Sequence, residues 1–240
     1  MKIKKISISF IFPIYNEEKR LKSLFKNITQ YEKKNNGNEF IFVNDGSNDK
    51  SLEYILDFIK NKKKKYKLVS YKKNMGKGYA LKMGVKEAKK DWLLTLDADL
   101  SVKLTQINNW LKIYKLKYHN VYFGSRNHPK SILEAKLHRK VIGIILNTLL
   151  KIVFKKKEYQ IKDTQCGFKL YPKKIAKKIF KNIFTLNFAH DIEILIKLSK
   201  QRINVIELPV EWKHYSESKV NIITDSFKII FSIFKIKNKL

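Results

Sequence analysis

The chain has 240 residues, of which 44% are hydrophobic, so it can bury one substantial core, and we expect a single globular unit with a short tail. Its 52 Lys and Arg residues against 21 Asp and Glu residues give a formal net charge of +31, which indicates an anionic partner. Cys166 is the only cysteine, which excludes an intrachain disulfide and favours a reducing, cytoplasmic setting.

The excess of basic residues has three explanations: nucleic acid, an anionic membrane surface, or a compositional bias that enriches Lys, Asn and Ile together. Proteins that bind specific nucleic-acid sequences use the guanidinium of Arg for bidentate hydrogen bonds to base edges. In this chain, by contrast, the basic residues are nearly all Lys and are scattered along the sequence. We therefore expect no nucleic-acid partner. The membrane surface and the bias both stay open.

The first apolar segment, residues 6–14, predicts a strand rather than a signal peptide. Ser7, Ser9 and Pro13 interrupt it, and it runs directly into Asn16 and Glu17 without a small-residue cleavage site. No stretch of eighteen uninterrupted apolar residues occurs in the sequence, so we predict no spanning helix.

Over the first hundred residues, segments rich in Ile, Phe, Val and Leu alternate with Lys-rich segments that suit helices. The predicted strands are 6–12, 39–43, 66–71 and 92–96, and the predicted helices are 17–33, 51–61 and 78–89. This alternation is typical of βαβ units and predicts an α/β fold with a mostly parallel sheet. Beyond residue 101 we predict a helix at 104–117, a strand at 121–125, an amphipathic helix around 136–154, and mixed elements that complete the site.

A polar cluster follows each of the four predicted strands. These clusters are Pro13–Glu18, Asn44–Asp49, Lys73–Gly78 and Asp97–Ser101. Because ligands of open α/β sheets bind beyond the carboxyl ends of the strands, we expect these loops to line one crevice.

Asp97 and Asp99 follow the fourth strand, spaced by two. Hard cations such as Mg²⁺ or Mn²⁺ prefer carboxylate oxygens and keep water and substrate phosphate in the same shell, so this pair suits a metal that bridges to a diphosphate. An Asp-x-Asp pair taken alone is as consistent with a capped turn, and the clusters at 44–49 and 74–78 also suit simple turns.

Taken together, Pro13–Glu18, Val43–Ser47, Asn74–Gly78 and Asp97–Asp99 resemble, in order and spacing, the family 2 inverting glycosyltransferases. The later segments resemble the subgroup that glucosylates or mannosylates dolichyl phosphate. Those segments are Asp163–Leu170, Phe188–Leu195, and Glu207–His214 with Ser218 and Lys219. The resemblance covers residues 6 to about 235.

The resemblance implies a GT-A nucleotide-sugar-binding fold over residues 1–221 and assigns the donor site. Its residues are Pro13, Tyr15 and Glu17 around the base and ribose, Asp45 on the base, Lys77 near the base or diphosphate, Asp97 and Ala98 near the ribose, and Asp97 and Asp99 on Mg²⁺ or Mn²⁺. Relatives in the mannosyl group carry Gln where this chain has Ser101, so a third metal ligand from the protein is not expected.

The same resemblance implies an acceptor side. Arg126 and Arg139 match positions that contact the diphosphate and the acceptor phosphate, and Lys219 matches an acceptor-loop lysine. Two roles are predicted for Asp191. It is a general base if the acceptor is a hydroxyl, or a group that positions Arg139 or Lys219 if the acceptor is a phosphate.

The implied reaction is transfer of a hexose, glucose from UDP-glucose by preference, to dolichyl or polyprenyl phosphate. The alternative is transfer to a hydroxyl of a cell-surface glycan or glycolipid. Two apolar segments with basic flanks, 141–154 and 222–236, resemble interfacial helices, although a buried helix explains 141–154 equally well. We therefore expect a peripheral protein on the cytoplasmic face of an anionic membrane, with 222–240 as its tail.

Overall fold

The structure is a computed structural model and describes residues 6–60, 62, 65–134, 161–187 and 189–213, together with 235, 236 and 239. The strands are β1 Ile8–Ile14, β2 Glu39–Asp45, β3 Tyr66–Tyr71, β4 Trp92–Thr95, β5 Asn120–Ser125, β6 Ile132–Glu134, β7 Lys169–Pro172, β8 Asn204–Pro209 and β9 Glu211–Lys213. The helices are α1 Glu18–Lys34, α2 Ser51–Ile59, α3 Lys77–Glu87, α4 Gln106–Ile113, α5 Lys173–Lys181 and α6 His190–Lys200.

Seven of these strands form one sheet in the order β3-β2-β1-β4-β7-β5-β8, and β6 pairs with β9 in a separate two-stranded sheet. Within the large sheet, β7 runs antiparallel to both of its neighbours, β4 and β5, and all other pairs are parallel. The carboxyl ends of β1, β2 and β4 therefore share an edge with the amino end of β7. That edge brings the segment preceding β7 next to the loops that follow the parallel strands.

The central strands are buried on both faces, which is why they are nearly continuous runs of apolar residues rather than alternating ones. Phe10 pairs in register with Phe40, and Phe40 with Tyr66, so that three aromatic rings stack across β1, β2 and β3 with centroids 5.1 and 5.3 Å apart. Such cross-strand aromatic pairs fix the register of the strands that carry the site.

Helices cover both faces of the sheet. One hydrophobic core packs α1, α2 and α4 against one face, with Leu21, Leu24 and Ile28 on the buried stripe of α1. The other core packs α3, α5 and α6 against the opposite face. Residues that alternate along β1 divide between the cores, Phe10 to the first and Ile11 to the second, as the period of a strand requires.

The α/β fold with a mostly parallel sheet is confirmed. The predicted boundaries need correction: the first strand ends at Ile14 rather than 12, and the helix predicted at 104–117 spans only Gln106–Ile113. The predicted helix at 136–154 lies outside the described residues, as does nearly all of 222–236. Among the helices in the described part of the chain, none is long and apolar enough to cross a membrane.

Candidate active site

The loops after β1 and β2 are joined by reciprocal hydrogen bonds at the carboxyl edge of the sheet. The Asn16 N–H donates to Ser47 Oγ at 3.0 Å, and the Asn48 N–H donates to Asn16 Oδ1 at 2.7 Å. One turn further on, the Glu18 N–H donates to Asp49 Oδ2 at 3.1 Å. Asn16 lies in the left-handed region, at φ 54°, which Asn tolerates better than most residues. The two loops therefore form one rigid wall.

Asp45, the residue assigned to the base, is buried and holds the glycine loop that follows β3. Its Oδ1 accepts the Met75 N–H at 2.8 Å, and its Oδ2 accepts the Gly76 N–H at 2.9 Å and Asn74 Nδ2 at 3.0 Å. Charge-assisted bonds to backbone amides are among the stronger hydrogen bonds in proteins. The structure thus gives Asp45 a loop-holding role that the sequence did not indicate.

Gly76 and Gly78 let the loop pack tightly against the segment before α6. Gly76 has φ 95°, and a Cβ there would lie 2.5 Å from the Leu186 carbonyl oxygen. At Gly78 a Cβ would lie 2.6 Å from the Thr185 carbonyl oxygen, and the Gly78 N–H donates to the Leu186 carbonyl at 2.8 Å. Both glycines are required by close approach, and they fix the start of α3 at Lys77.

Asp97 and Asp99 project beyond the end of β4. The Asp97 side chain is 39% exposed, and its Oδ1 lies 2.5 Å from Lys77 Nζ. Asp99 Oδ1 accepts the Ser101 N–H at 2.9 Å. Burial and the nearby charge of Asp97 raise the pKa of the Asp99 carboxyl.

These two carboxylates fit a hard divalent cation. They supply negatively charged oxygen donors, and the exposure of Asp97 leaves room for water and phosphate ligands. Ser101 uses its backbone N–H to orient Asp99. Within the described ranges, no group of three or more His, Cys, Asp or Glu side chains is arranged to hold a metal by itself.

Asp191, at the start of α6, is buried, lines the same pocket as Asp97, and forms an ion pair with Lys169 of β7. Lys169 is also buried, donates to the Thr164 carbonyl at 2.9 Å, and lies 4.8 Å from the centroid of the Phe123 ring. His190 Nε2 is 3.3 Å from Asp191 Oδ1, and His190 Nδ1 bonds to the Asn187 carbonyl at 2.8 Å.

The charge state of the Asp191 carboxyl is set by burial and by its neighbours. Burial alone would raise the pKa of the Asp191 carboxyl, but the adjacent His190, Lys169 and Lys77 outweigh it and lower that pKa below its ordinary value. Burial also lowers the pKa of the His190 imidazole. Asp191 is therefore an ionised group held by a buried cation. A pocket of about 10 Å³, room for about one water molecule, lies between it and Asp97.

Arg126, at the end of β5, is held by a bidentate fork. Its Nε and Nη2 donate to the Asp163 carboxylate at 2.7 and 2.8 Å, and its backbone N–H donates to Asp163 Oδ2 at 2.9 Å. Glu207 in turn accepts the Asp163 N–H at 2.9 Å. The Asp163 charge raises the pKa of the Arg126 guanidinium against the effect of burial, so Arg126 is a fixed cation, 30% exposed at its side chain.

The remaining predicted residues are dispersed around this centre. Pro13 lies within β1 and lines the pocket, Ala98 is buried between the two carboxylates, and Tyr15 is 39% exposed. Glu17 pairs with Arg20 at 2.8 Å. Arg139 and Lys219 lie outside the described residues, so the contacts predicted for them stay predictions.

Comparison with known proteins decides the family. The model for "Glycosyl transferase family 2" matches residues 9–180, more than half of the chain. The chain belongs to glycosyl transferase family 2. This glycosyltransferase is 33% identical, over 91% of its length and 69% of the relative's, to a dolichyl-phosphate beta-glucosyltransferase of Trichomonas vaginalis. It is 30% identical to the dolichyl-phosphate beta-glucosyltransferase of Saccharomyces cerevisiae, over 94% of its length and 72% of the relative's.

Solved structures support the fold of this family 2 enzyme. Glucosyl-3-phosphoglycerate synthase from Mycobacterium tuberculosis, in complex with Mn²⁺, UDP and glucosyl-3-phosphoglycerate, superposes with a TM-score of 0.73 at 14% identity, covering 97% of this chain and 80% of that one. Mannosyl-3-phosphoglycerate synthase from Rubrobacter xylanophilus gives a TM-score of 0.66 at 13% identity, covering 98% and 73%. At such identities the likeness shows the fold alone, and it confirms the GT-A expectation.

Lys169, Asp163 and His190 belong to this site, and sequence reasoning gave none of them a role there. Lys169 is the residue whose sequence context carried a signal, because a lysine between Phe168 and Leu170 on a buried strand needs a partner. That partner, Asp191, is 22 positions along the chain, and only the fold brings the two together.

Proposed function

We propose that this glycosyltransferase moves glucose from UDP-glucose to dolichyl or polyprenyl phosphate, with inversion at the anomeric carbon. The names of its relatives support this acceptor and this sugar, since proteins 30 to 33% identical over more than nine-tenths of the chain are dolichyl-phosphate beta-glucosyltransferases. The observation in the structure that carries the choice of acceptor is the ion pair between Asp191 and Lys169.

The donor lies in the crevice at the carboxyl edge of the sheet. Asp97 and Asp99 hold Mg²⁺ or Mn²⁺, which when bound neutralises the leaving nucleoside diphosphate. The joined loops after β1 and β2 form the wall for base and ribose, and Tyr15, between Ile14 and Asn16, is 39% exposed. Asp45 shapes this wall by holding the glycine loop.

The acceptor chemistry follows from the state of Asp191. A hydroxyl acceptor must lose its proton during attack, which requires a base with a pKa near the working pH. Asp191 is ionised with a lowered pKa and is occupied by a buried lysine, so it is a poor base. A phosphate monoester has a second pKa of about 6 and is already ionised at neutral pH. It needs cations to orient it and no base.

In the proposed step, an oxygen of the lipid phosphate attacks the anomeric carbon as the bond from that carbon to the UDP oxygen breaks. The electron pair leaves with UDP, and no proton is transferred. Arg126 is held in place by Asp163 through Nε and Nη2, and its Nη1 group carries two further N–H donors for a phosphate. Arg139 and Lys219 are proposed as the acceptor cations on the basis of the family resemblance.

We propose that the enzyme binds peripherally to the cytoplasmic face of an anionic membrane, with residues 1–221 as the catalytic domain and 222–240 as the tail. The charge of +31 supports attraction to an anionic leaflet. The end of the tail also contacts the catalytic domain, since Ile236 is buried and Lys239 Nζ lies 4.5 Å from the centroid of the Phe184 ring.

The test compares two lipid acceptors that differ only in the phosphate. The purified chain is given radiolabelled UDP-glucose, Mn²⁺ and either dolichyl phosphate or dolichol, and labelled lipid is extracted and counted. We expect labelled product with dolichyl phosphate and none with dolichol. GDP-mannose serves as the donor control and should label neither lipid.

Two variants sharpen the result. Arg139→Ala should raise the KM for dolichyl phosphate, whereas Asp191→Asn should retain measurable turnover. If the enzyme glucosylates dolichol instead, and Asp191→Asn loses roughly 10²–10⁴-fold in rate while Arg139→Ala is unaffected, the acceptor is a hydroxyl and the proposal is wrong.

A further inference from the structure

Glu193 of α6 has a side chain that is 0% exposed and reaches back to the segment before its own helix. Its carboxylate accepts the Thr185 N–H at 2.7 Å and the Phe184 N–H at 3.1 Å. Both amides belong to residues 182–187, an irregular part of the connection from α5 to α6 that we call the strap. Because backbone amides outside helices and sheets need other partners, Glu193 does for the strap what a neighbouring strand would otherwise do.

Lys197, one turn further along α6, completes the attachment. Its ammonium forms an ion pair with Glu193 Oε1 and donates to the Asn182 carbonyl at 2.6 Å, and its side chain is 12% exposed. The carboxylate and the ammonium thus bind three backbone groups of the strap. Charge-assisted hydrogen bonds are roughly twice as strong as neutral ones, so the strap is fixed to α6.

The carbonyl groups of the strap contact the glycine loop, residues 74–78. The Gly78 N–H donates to the Leu186 carbonyl at 2.8 Å. A Cβ at Gly76 would lie 2.5 Å from that same oxygen, and a Cβ at Gly78 would lie 2.6 Å from the Thr185 carbonyl oxygen. Contacts this close leave no slack, so a displacement of the strap must displace the loop as well.

We propose that Glu193 is a positioning residue for the nucleotide of the donor, and that it acts through the strap on the glycine loop. This inference rests on the proposed function, because it takes the donor to be UDP-glucose bound beside that loop. Glu193 does not touch the donor, since its oxygens are occupied by the strap and by Lys197. Its part is to keep the loop at the position in which UDP binds.

The variant Glu193→Gln tests this role because it preserves the size of the side chain. A neutral amide offers one acceptor oxygen in place of two, and its NH₂ group cannot accept an N–H. The amide also leaves Lys197 without its anion. We expect the strap to shift in this variant and the glycine loop to follow it.

Glu39 provides the matched control at the other end of the sheet. Its side chain is 6% exposed, forms an ion pair with Lys67 at 3.1 Å, and accepts the Lys89 N–H and the Ser9 hydroxyl. A lysine and a backbone amide are the same kinds of partner that Glu193 has. Glu39 begins β2, whereas the glycine loop is held by the last residue of that strand. Glu39→Gln therefore makes the same chemical change away from the donor site.

The experiment measures the affinity for UDP as well as turnover. UDP is titrated calorimetrically into the full-length protein in the presence of Mn²⁺, for wild type and both variants, and KM values for UDP-glucose and dolichyl phosphate are measured in the transfer assay. We expect Glu193→Gln to raise the Kd of UDP about tenfold, within the range usual for residues that act on a site through intermediates, and Glu39→Gln to stay close to wild type. The KM for UDP-glucose should rise with that Kd, and the KM for dolichyl phosphate should not.

If Glu193→Gln does not fold, Lys197→Met makes the comparison. It removes the ion pair and the bond to the first carbonyl of the strap but keeps both amide bonds to Glu193. The control for it is Lys67→Met, because Lys67 pairs with Glu39 and donates to the Glu87 carbonyl at 2.7 Å. A weaker affinity for UDP in Lys197→Met alone supports the inference, and equal affinities in the two variants overturn it.

A purely structural role would give a different result. Partial unfolding lowers the number of binding sites and kcat but leaves the Kd of the folded molecules unchanged. A wild-type Kd for UDP in Glu193→Gln, or an equal rise in Glu39→Gln, overturns the inference alone. If wild-type protein binds UDP but labels no lipid phosphate, the proposed acceptor is wrong and the UDP affinities still decide the inference. Wild-type protein that binds no UDP overturns both.

Discussion

Replacing Lys169 with Met would remove the cation paired with the buried Asp191 carboxylate and leave His190 and Lys77 as the other groups that oppose its burial. Lys169 is 2% exposed and Asp191 7% exposed at their side chains, so solvent cannot substitute for the lost partner. The variant also loses the hydrogen bond to the Thr164 carbonyl and the contact with the Phe123 ring. Breaking a buried pair in this way typically costs about 3–5 kcal/mol, and we expect a loss of that size in the free energy of unfolding.

The loss should depend on pH with a definite sign. In wild type the folded-state pKa of Asp191 is below its ordinary value. The ionised carboxylate therefore stabilises the fold at pH values above its ordinary pKa. That stabilisation is lost only as the pH falls through the folded-state pKa. Without Lys169, only His190 and Lys77 oppose the effect of burial, and we expect the pKa of Asp191 to lie higher than in wild type. The variant should then regain stability as pH falls from 7 toward 5, and the gap to wild type should narrow.

Urea unfolding followed by far-UV circular dichroism at pH 7 and pH 5 measures both effects. Lys213→Met is the control, because its ion pair with Glu134 is 56% and 65% exposed and should be worth at most about 1 kcal/mol. The double variant Lys169→Met with Asp191→Leu removes both charges, and we expect it to recover most of the lost stability.

Two results would refute this reasoning. A loss below about 1 kcal/mol for Lys169→Met would mean that Asp191 finds another cation or reaches water. If the double variant loses as much free energy of unfolding as Lys169→Met and Asp191→Leu lose separately when added together, the two side chains act separately rather than as a pair.

Three further predictions concern the metal, the glycine loop and the tail. Asp99→Ala should abolish glucose transfer while its urea midpoint stays near that of wild type, and full activity in that variant or in excess chelator would remove the metal from the reaction. Gly76→Ala should lower the free energy of unfolding in urea by more than about 2 kcal/mol and weaken UDP binding. Gly37→Ala is the control, because Gly37 has a matching φ of 94° but nothing lies within 4 Å of the added Cβ, so that variant should show only the backbone strain of about 1–2 kcal/mol. Deleting residues 222–240 should move the protein from membrane to soluble fractions, whereas salt should release only part of the full-length protein; complete release by salt would show that the tail is not needed.

The first half of the fold was predictable because its signals are local. The segments that form β1 to β4 are apolar runs bounded by turn residues, and their order implies parallel pairing. Helix ends were less predictable. The helix predicted at 104–117 ends at Ile113, the last residue of α4, whose side chain is 67% exposed, so tertiary packing and not periodicity sets that boundary.

The site was predictable only where its residues follow strands directly. Asp97 and Asp99 come immediately after β4, and the edge of a parallel sheet gathers such residues. Pairs such as Arg126 with Asp163 and Lys169 with Asp191 join residues far apart in sequence, and they depend on β7 running antiparallel between β4 and β5. The sequence alone gives no sign of which residue pairs with which.

The antiparallel course of β7 explains why one short segment reaches both sides of the site. Between Asp163 and Lys169 the chain runs along the edge of the sheet that carries the loops after β1, β2 and β4. Its first residue holds Arg126, and its last residue holds Asp191. Between them, Gly167 packs so closely on Asp97 that a Cβ there would lie 2.4 Å from Asp97 Oδ2. A parallel strand in this position would end at that edge, and its following loop would lead away to a helix. With β7 reversed, the residues before it contact the proposed metal ligand, the proposed phosphate cation and the buried acid within seven positions, so a change of length in this segment should disturb all three at once.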